Sequence, residues 1–342
     1  MTSHREHGET AWDFLLHRAE GDLLQSWRWG EFKQHHGWRV EWVQTPGGAM
    51  AQVLFRTRGP FTIAYLPRGP VIPEGCPDVQ EFLRALDDVC ARHRAISLVV
   101  EPDHPLPSSW TGEGSNFVQG PESFQTSRTV KVPLADDAEL LAGWRKDTRY
   151  NVQYAQRHGV TIERMEAGQA DIATFYQLLQ ETSHRQEFSI HTSGYYDDFM
   201  RMFGDQAVLL LARAGGEVTA GLIVARCGSE GRSMYAGSSS HLRVRGDAAL
   251  LRFEAMRWTR EHGGARYDLG GIISEPRSSG SDASSHSSSK RGSNLDGVTQ
   301  FKLGFGGEVV AYPPTLERRY HPALSWVVRQ FHPRFRQGRP GA

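Results

Sequence analysis

The chain has 342 residues, with 39 basic and 39 acidic side chains and 39% hydrophobic residues. That composition excludes wholesale disorder, and the balanced charge gives no bulk attraction to nucleic acid or membrane. No apolar run approaches the ~18 residues of a membrane span, and two domains of similar size are the natural division of this length.

The start, MTSHREHGET, lacks an apolar segment of the secretory kind, so a cytoplasmic protein is expected. Three scattered cysteines (Cys76, Cys90, Cys227) argue against a disulfide framework or a cysteine zinc site, and no HExxH or HxH pair signals a metal. The basic residues are lopsided: 34 Arg against five Lys, at 33, 131, 146, 290 and 302. Residues 143–165 and the tail 317–342 are locally basic.

In chain order, a helix-like stretch from Leu23 to Phe32 leads to an alternating strand over Trp38–Gln44. Pro46-Gly47-Gly48 turns it back as Met50–Arg56, a hairpin. Phe61–Leu66 reads as a third strand. Asp78–His93 reads as an amphipathic helix with Asp78 as its N-cap, and Ile96–Val100 as a buried strand. The same order returns: strands at Ala207–Arg213, Glu217–Cys227 and Ser233–Ser238, a helix over Asp247–His262, and a strand at Ala265–Leu269. This recurring β-β-β-α-β order is that of the GNAT acyltransferase fold, so the expected class is α/β (α+β) with two tandem GNAT-like domains.

The predicted boundaries are 1–143 plus 313–342 for the first domain and 144–312 for the second. The stretch Pro276–Asn294 reads as a mobile loop, since nine of residues 278–293 are Ser; a linker and a lid are both open for it. Val309–Tyr312 reads as a strand. Trp326, Val327, Phe331 and Phe335 have helical spacing, which predicts a terminal helix returning to the first domain. The basic segment from Trp144 to Asn151 begins a helix that either meets RNA phosphates or anchors Trp144 and Tyr150 in the core.

Tyr267-Asp-Leu-Gly270-Gly271 is followed, beyond the Ser-rich stretch, by Gly297-Val-x-x-Phe301-Lys302-x-Gly304-Phe305-Gly306-Gly307. With Gln25-Ser-x-x-Trp29-Gly30-x-x-Lys33, Tyr65-Leu-Pro-Arg-Gly-Pro70, Trp144-Arg-Lys-x-x-Arg149-Tyr150-Asn151, Tyr195-Tyr196 and Tyr235-Ala-Gly-Ser-Ser, it resembles the FemABX family of peptidoglycan-bridge aminoacyltransferases. The resemblance spans about Asp22 to about Tyr320, without the coiled-coil arm of larger members.

The resemblance implies transfer of an amino acid from aminoacyl-tRNA to an amine of the stem peptide of a peptidoglycan precursor. The acceptor would be UDP-MurNAc-pentapeptide or a lipid-linked precursor, the latter with peripheral membrane contact, and the enzyme a monomer. An aminoacyl ester is already activated, so no cofactor is expected. Lys302 is implied as the cation for the transition-state oxyanion or for the tRNA end, with Phe301 beside it. Glu101, at a strand end, is the candidate proton acceptor. Lys33, His191, Tyr195 and Tyr235 are implied in acceptor binding; His191 stands where the family has an Arg, a contact that Arg185 or Arg201 would then supply. Each has a plainer reading: surface lysines at 302 and 33, a strand aromatic at 235, a solvated carboxylate at 101. Two other functions stay open. Arg243-Val-Arg-Gly246-Asp-Ala248 fits the pyrophosphate-binding pattern of acyl-CoA-dependent N-acyltransferases, and a basic-faced RNA- or partner-binding protein needs no catalysis at all.

Overall fold

A computed structural model describes residues 2–111, 116–242, 244–272 and 290–331. The chain opens with α1 (Thr2–Arg18), a helix that the sequence reading did not include; it buries Trp12 and Leu16. A 3-10 turn over Leu23–Gln25, capped by Asp22, leads to α2 (Trp27–His35), whose first turn is capped by the Ser26 hydroxyl accepting from the Trp29 N–H at 3.3 Å. Then come β1 (Arg39–Gln44), β2 (Met50–Arg58), β3 (Phe61–Pro67), α3 (Val79–Arg92), β4 (Ala95–Glu101), α4 (Ser108–Thr111) and β5 (Phe117–Gln119). Asp78 stands at the N-cap position of α3 without capping it. Its carboxylate accepts instead from the Gly47 N–H at 2.7 Å and the Cys76 thiol at 3.1 Å, tying the hairpin turn to the helix start.

The second half contains β6 (Arg128–Pro133), α5 (Asp137–Gly143), α6 (Lys146–Arg157), β7 (Thr161–Met165), α7 (Ile172–Gln186), α8 (Ser193–Phe203), β8 (Ala207–Ala214), β9 (Glu217–Cys227), β10 (Glu230–Ser238), α9 (Asp247–Glu261), β11 (Arg266–Gly271), α10 (Lys290–Leu303) and β12 (Glu308–Ala311). The described residues end in β13 (Leu316–Arg319) and α11 (Pro322–Phe331).

Two compact units result, residues 1–127 with 312–342 and residues 128–311. The first sheet runs β1-β2-β3-β4-β13-β5 and the second β12-β6-β11-β10-β9-β8-β7. In each, an antiparallel three-stranded meander is followed by a helix and a strand parallel to the third: β3 with β4, and β10 with β11. These are two GNAT-like folds in tandem. The boundary falls at 127/128, not at the expected 143/144, because β6 pairs with both β11 and β12 and Asp137 of α5 receives Arg260 of α9 at 2.7 Å.

The first core gathers Phe55, Phe82, Trp110 and Phe117 around α3, and the second gathers Trp144, Val152, Phe253, Trp258, Tyr267 and Phe305 around α9. Two aromatic expectations change. Tyr150 is not anchored in the core but is 43% exposed, and Trp326 of α11 is 61% exposed. The helix α11 meets β4 through Ser325, whose hydroxyl donates to the Ile96 carbonyl at 3.2 Å. The Phe301-Lys302 motif lies in the last turn of α10, and Lys290–Asn294, read as part of the Ser-rich loop, belong to the same helix. Residues 273–289, with most of that expected loop, and residues 332–342 lie outside the described residues, as does Arg243.

Candidate active site

In the second unit, β11 ends in Gly270-Gly271, and Gly270 has φ +82°. The Lys302 Nζ donates to the Gly271 carbonyl at 2.7 Å. A Cβ built on Gly270 would lie 3.3 Å from that ammonium, so glycine leaves room for it. An ammonium has three donors, and anchoring one to a fixed carbonyl sets where the others point. Enclosure, reinforced by the Arg252 cation and opposed by Asp268, pushes the Lys302 pKa down to about 8. Phe301 is half-buried, edge-on to Phe305 with centroids 5.2 Å apart and 5.9 Å from the Arg252 guanidinium.

Two residues of this site had no role in the sequence reading. Asp268, 2% exposed, accepts from the Gly270 N–H at 2.7 Å, from the Thr129 hydroxyl and from Arg232 Nε at 3.1 Å. It therefore fixes the turn whose next carbonyl holds Lys302. Arg252, on α9, has a buried Nε without a hydrogen-bond partner, and burial lowers its pKa. The one sequence signal was an aspartate set between Tyr267 and Leu269 in a strand. Gly304, Gly306 and Gly307 of the motif serve the chain's own packing. A Cβ at Gly306 would lie 2.8 Å from the Gly143 carbonyl, and one at Gly307 2.3 Å from that of Lys131.

A separate aromatic cluster in this unit brings together His191, Tyr195 and Tyr235. The His191 ring stacks on Tyr195 at 3.8 Å, and its backbone N–H donates to the Tyr196 hydroxyl at 3.2 Å. Tyr195 and Tyr235 are linked by a side-chain hydrogen bond, and burial raises both phenol pKa values. A bulge between Ser233 and Tyr235 shifts the register of β10 and turns Tyr235 toward Tyr196 and Phe199, at 5.0 and 5.6 Å. Tyr195 is buried and Tyr235 half-buried. The two arginines considered for an anion contact are engaged: Arg185 donates to Ser238 Oγ at 2.8 Å, and Arg201 pairs with Asp198 at 2.6 Å.

In the first unit Lys33 lies among aromatic faces, its Nζ 5.1 Å from the Trp29 centroid, 5.9 Å from Phe32 and 5.8 Å from Trp38. The Arg56 guanidinium shares the Trp38 ring with it, 5.1 Å from the centroid. Burial first, and the Arg56 charge second, push the Lys33 pKa down to about 8. Glu101 ends β4, 3% exposed. Its carboxylate accepts from the Tyr65 hydroxyl at 2.5 Å, the Phe124 N–H, and the Gln125 N–H at 3.1 Å. Burial raises its pKa against those hydrogen bonds. This is a carboxylate turned into the chain, holding Tyr65 and residues 124–125, rather than the solvated strand-end group or the open base of the sequence reading. The acyl-CoA pattern is partly absorbed as well: Gly246 (φ +88°) abuts α6, where a Cβ would fall 2.1 Å from the Asn151 carbonyl, and Arg245 Nε donates to Asn151 Oδ1 at 2.9 Å.

The FemAB family model matches residues 109–217 and 213–332, more than half of the chain. This chain belongs to the FemAB family. Among its relatives is the lipid II:glycine glycyltransferase of Staphylococcus aureus, 24% identical over 220 residues that cover 58% of this chain and 52% of the relative. The chain thus matches about half the length of that protein. The crystal structure of FemX superposes with a TM-score of 0.79 at 18% identity, over 94% of this chain and 98% of FemX. The C-terminal domain of a putative lysylphosphatidylglycerol synthetase from Agrobacterium fabrum follows at 0.57 and 16% identity, over 99% and 100%. At such identities the superpositions establish the FemAB chain's fold. Among the described residues no helix is long and apolar enough to cross a membrane.

Proposed function

We propose that this FemAB protein is an aminoacyltransferase that moves an amino acid from aminoacyl-tRNA to an amine on the stem peptide of a peptidoglycan precursor. Membership of the family and the name of its glycyltransferase relative support a lipid-linked acceptor; the soluble UDP-MurNAc-pentapeptide is the other form of the same acceptor. The observation that carries the reading is Lys302, an ammonium held at 2.7 Å by the Gly271 carbonyl beside Arg252.

The amine attacks the ester carbonyl, a C–N bond forms, and the C–O bond to the ribose breaks. The amine loses a proton and the departing ribose oxygen gains one. Charge develops on the carbonyl oxygen in between, and a preorganised ammonium in a partly enclosed site stabilises it far better than water does. With a pKa of about 8, Lys302 is mostly charged at neutral pH. Lys33 with Arg56 suits the acceptor's phosphates, and the Tyr195–Tyr235 cluster suits its peptide. Glu101 keeps the loop at 124–125 in place. The test is transfer of label from charged tRNA to the precursor, followed by mass. Ribonuclease should abolish it; transfer that survives ribonuclease and requires an acyl-CoA would make the chain an acyl-CoA-dependent N-acyltransferase.

A further inference from the structure

The strand that carries Gly270 and Gly271 is irregular, and the irregularity is held by residues that the reaction above does not use. Lys131 on β6 lies opposite Asp268 on β11, and Thr129 lies opposite Gly271. Three steps along β11 thus answer two along β6, which makes a bulge, with Gly270 at φ +82° inside it. A bulge re-aims the groups beside it, and here the group beside it is the Gly271 carbonyl, which accepts from Lys302 Nζ at 2.7 Å.

One side chain gathers the bonds that fix this bulge. Asp268 Oδ1 accepts from the Gly270 N–H at 2.7 Å, inside the bulge, and from the Thr129 hydroxyl, on the strand across it. Asp268 Oδ2 accepts at 3.1 Å from Arg232 Nε, which stands abreast of it on the other neighbouring strand, β10. Arg232 is backed by Glu230 at 3.9 Å, and Glu230 is held by Lys131 at 2.8 Å and faced by Arg266 at 3.6 Å. Charges of opposite sign therefore alternate around Asp268, and its buried carboxylate has donors on both flanking strands. Hydrogen bonds to an ionised group are the stronger kind, so the carboxylate has one place to be.

We propose that Thr129, Asp268 and Arg232 form a latch that positions Lys302. The latch holds the bulge of β11, the bulge aims the Gly271 carbonyl, and the carbonyl sets where the ammonium stands. All three are positioning residues. The proposal rests on Lys302 as the cation for the oxyanion and adds what keeps that cation in place. A displacement of about 1 Å at such a group is enough to cost on the order of 10²-fold in rate.

The test is a double-mutant cycle read with a pH profile. Thr129→Val removes the hydroxyl and keeps the shape. It should lower kcat on the order of 10- to 10²-fold with both KM values unchanged, and Thr129→Ser should restore the rate. In a Lys302→Met background Thr129→Val should cost nothing more, because the group it positions is gone. Asp268→Asn keeps an acceptor for the Gly270 N–H but removes the negative charge that opposes enclosure and Arg252 at Lys302. The Lys302 pKa should then fall below about 8, while Thr129→Val should leave it in place. NMR of isotope-labelled lysine, with Lys302→Met to assign the signal among five, reads that titration without any substrate. A wild-type kcat in Thr129→Val, or an equal loss with and without Lys302, would overturn the latch, and an impaired Lys302→Met would leave the role of Lys302 standing. Full activity in Lys302→Met would overturn that role and the latch with it. Should Asp268→Asn fail to fold, Thr129→Val decides.

Discussion

Two of the five lysines, one in each half of the molecule, are pressed down to a pKa of about 8, and they are held in opposite ways. Lys33 sits among the faces of Trp29, Phe32 and Trp38, where attraction is broad and tolerates displacement. Lys302 is fixed by a directional bond to a carbonyl that Asp268 in turn fixes through Gly270. The folds around them share one strand order, so the difference lies in the local chemistry grafted onto it. A charge held loosely among rings suits an anion that must come and go. A charge held by a hydrogen bond suits an atom that exists only in the transition state.

That contrast predicts a split in kinetics. Lys302→Met should lower kcat by on the order of 10²–10³, the usual cost of removing an oxyanion donor. Lys302→Arg should also be poor, since the wider guanidinium cannot keep the 2.7 Å anchor and the same charge position. Lys33→Met should act mainly on the acceptor KM. A Lys302→Arg enzyme with full activity would reduce Lys302 to a surface charge and dissolve the contrast. Folding should survive both Met variants. Each lysine titrates lower in the folded state than in the unfolded, so the unfolded chain binds more protons between about pH 8 and 10.5. Stability therefore rises with pH across that window, and the Met variants, lacking the titration, should show a smaller rise in urea melts.

The second test uses pH and Arg252. If the charged form of Lys302 is the working one, kcat should fall as pH rises through about 8. Arg252 is one cause of the lowered value, so Arg252→Met should move the alkaline limb upward. The same substitution removes a buried guanidinium whose Nε lacks a partner, and it fills similar space, so it should not weaken the fold. An alkaline limb that stays in place would assign the titration to another group.

The sequence made the sheets legible because strand-length apolar runs are parted by the turns at Gly47-Gly48 and Gly215-Gly216, and because α3 carries an apolar stripe of Phe82, Leu86, Val89 and Cys90. It did not reveal α10. Ser, Gly292 and Gly297 have poor helix propensity, so nothing in the sequence marked a helix over Lys290–Leu303, which ends at Gly304 against Thr148. Nor did it separate Trp144 from Tyr150. The helix begins at Lys146 and buries Thr148, Val152 and Ala155, which places Tyr150 about 200° around from Thr148 and in solvent. The partners that set Lys302, Asp268 and Arg252, come from β11 and α9, and no spacing in the chain shows that they meet. Glu101 read as an open carboxylate because nothing local tells that Phe124 and Gln125 return to it.

The smallest expected effect separates two tyrosines of one cluster. Tyr235 is half-buried on the bulged strand, whereas Tyr195 is 6% exposed beneath the His191 ring. Their hydroxyls are joined, so Tyr→Phe at either breaks one hydrogen bond between neutral groups, which is worth about 0.5–1.5 kcal/mol. If Tyr235 touches the acceptor, Tyr235→Phe should raise the acceptor KM a few-fold and leave the donor KM unchanged. Tyr195→Phe should appear first as a lower melting temperature and reach the KM only through Tyr235. In the double variant the two effects on KM should then not add, because both remove the same bond. Additive effects would mean that each phenol meets the acceptor on its own, and no change in KM from either would return the pair to the core.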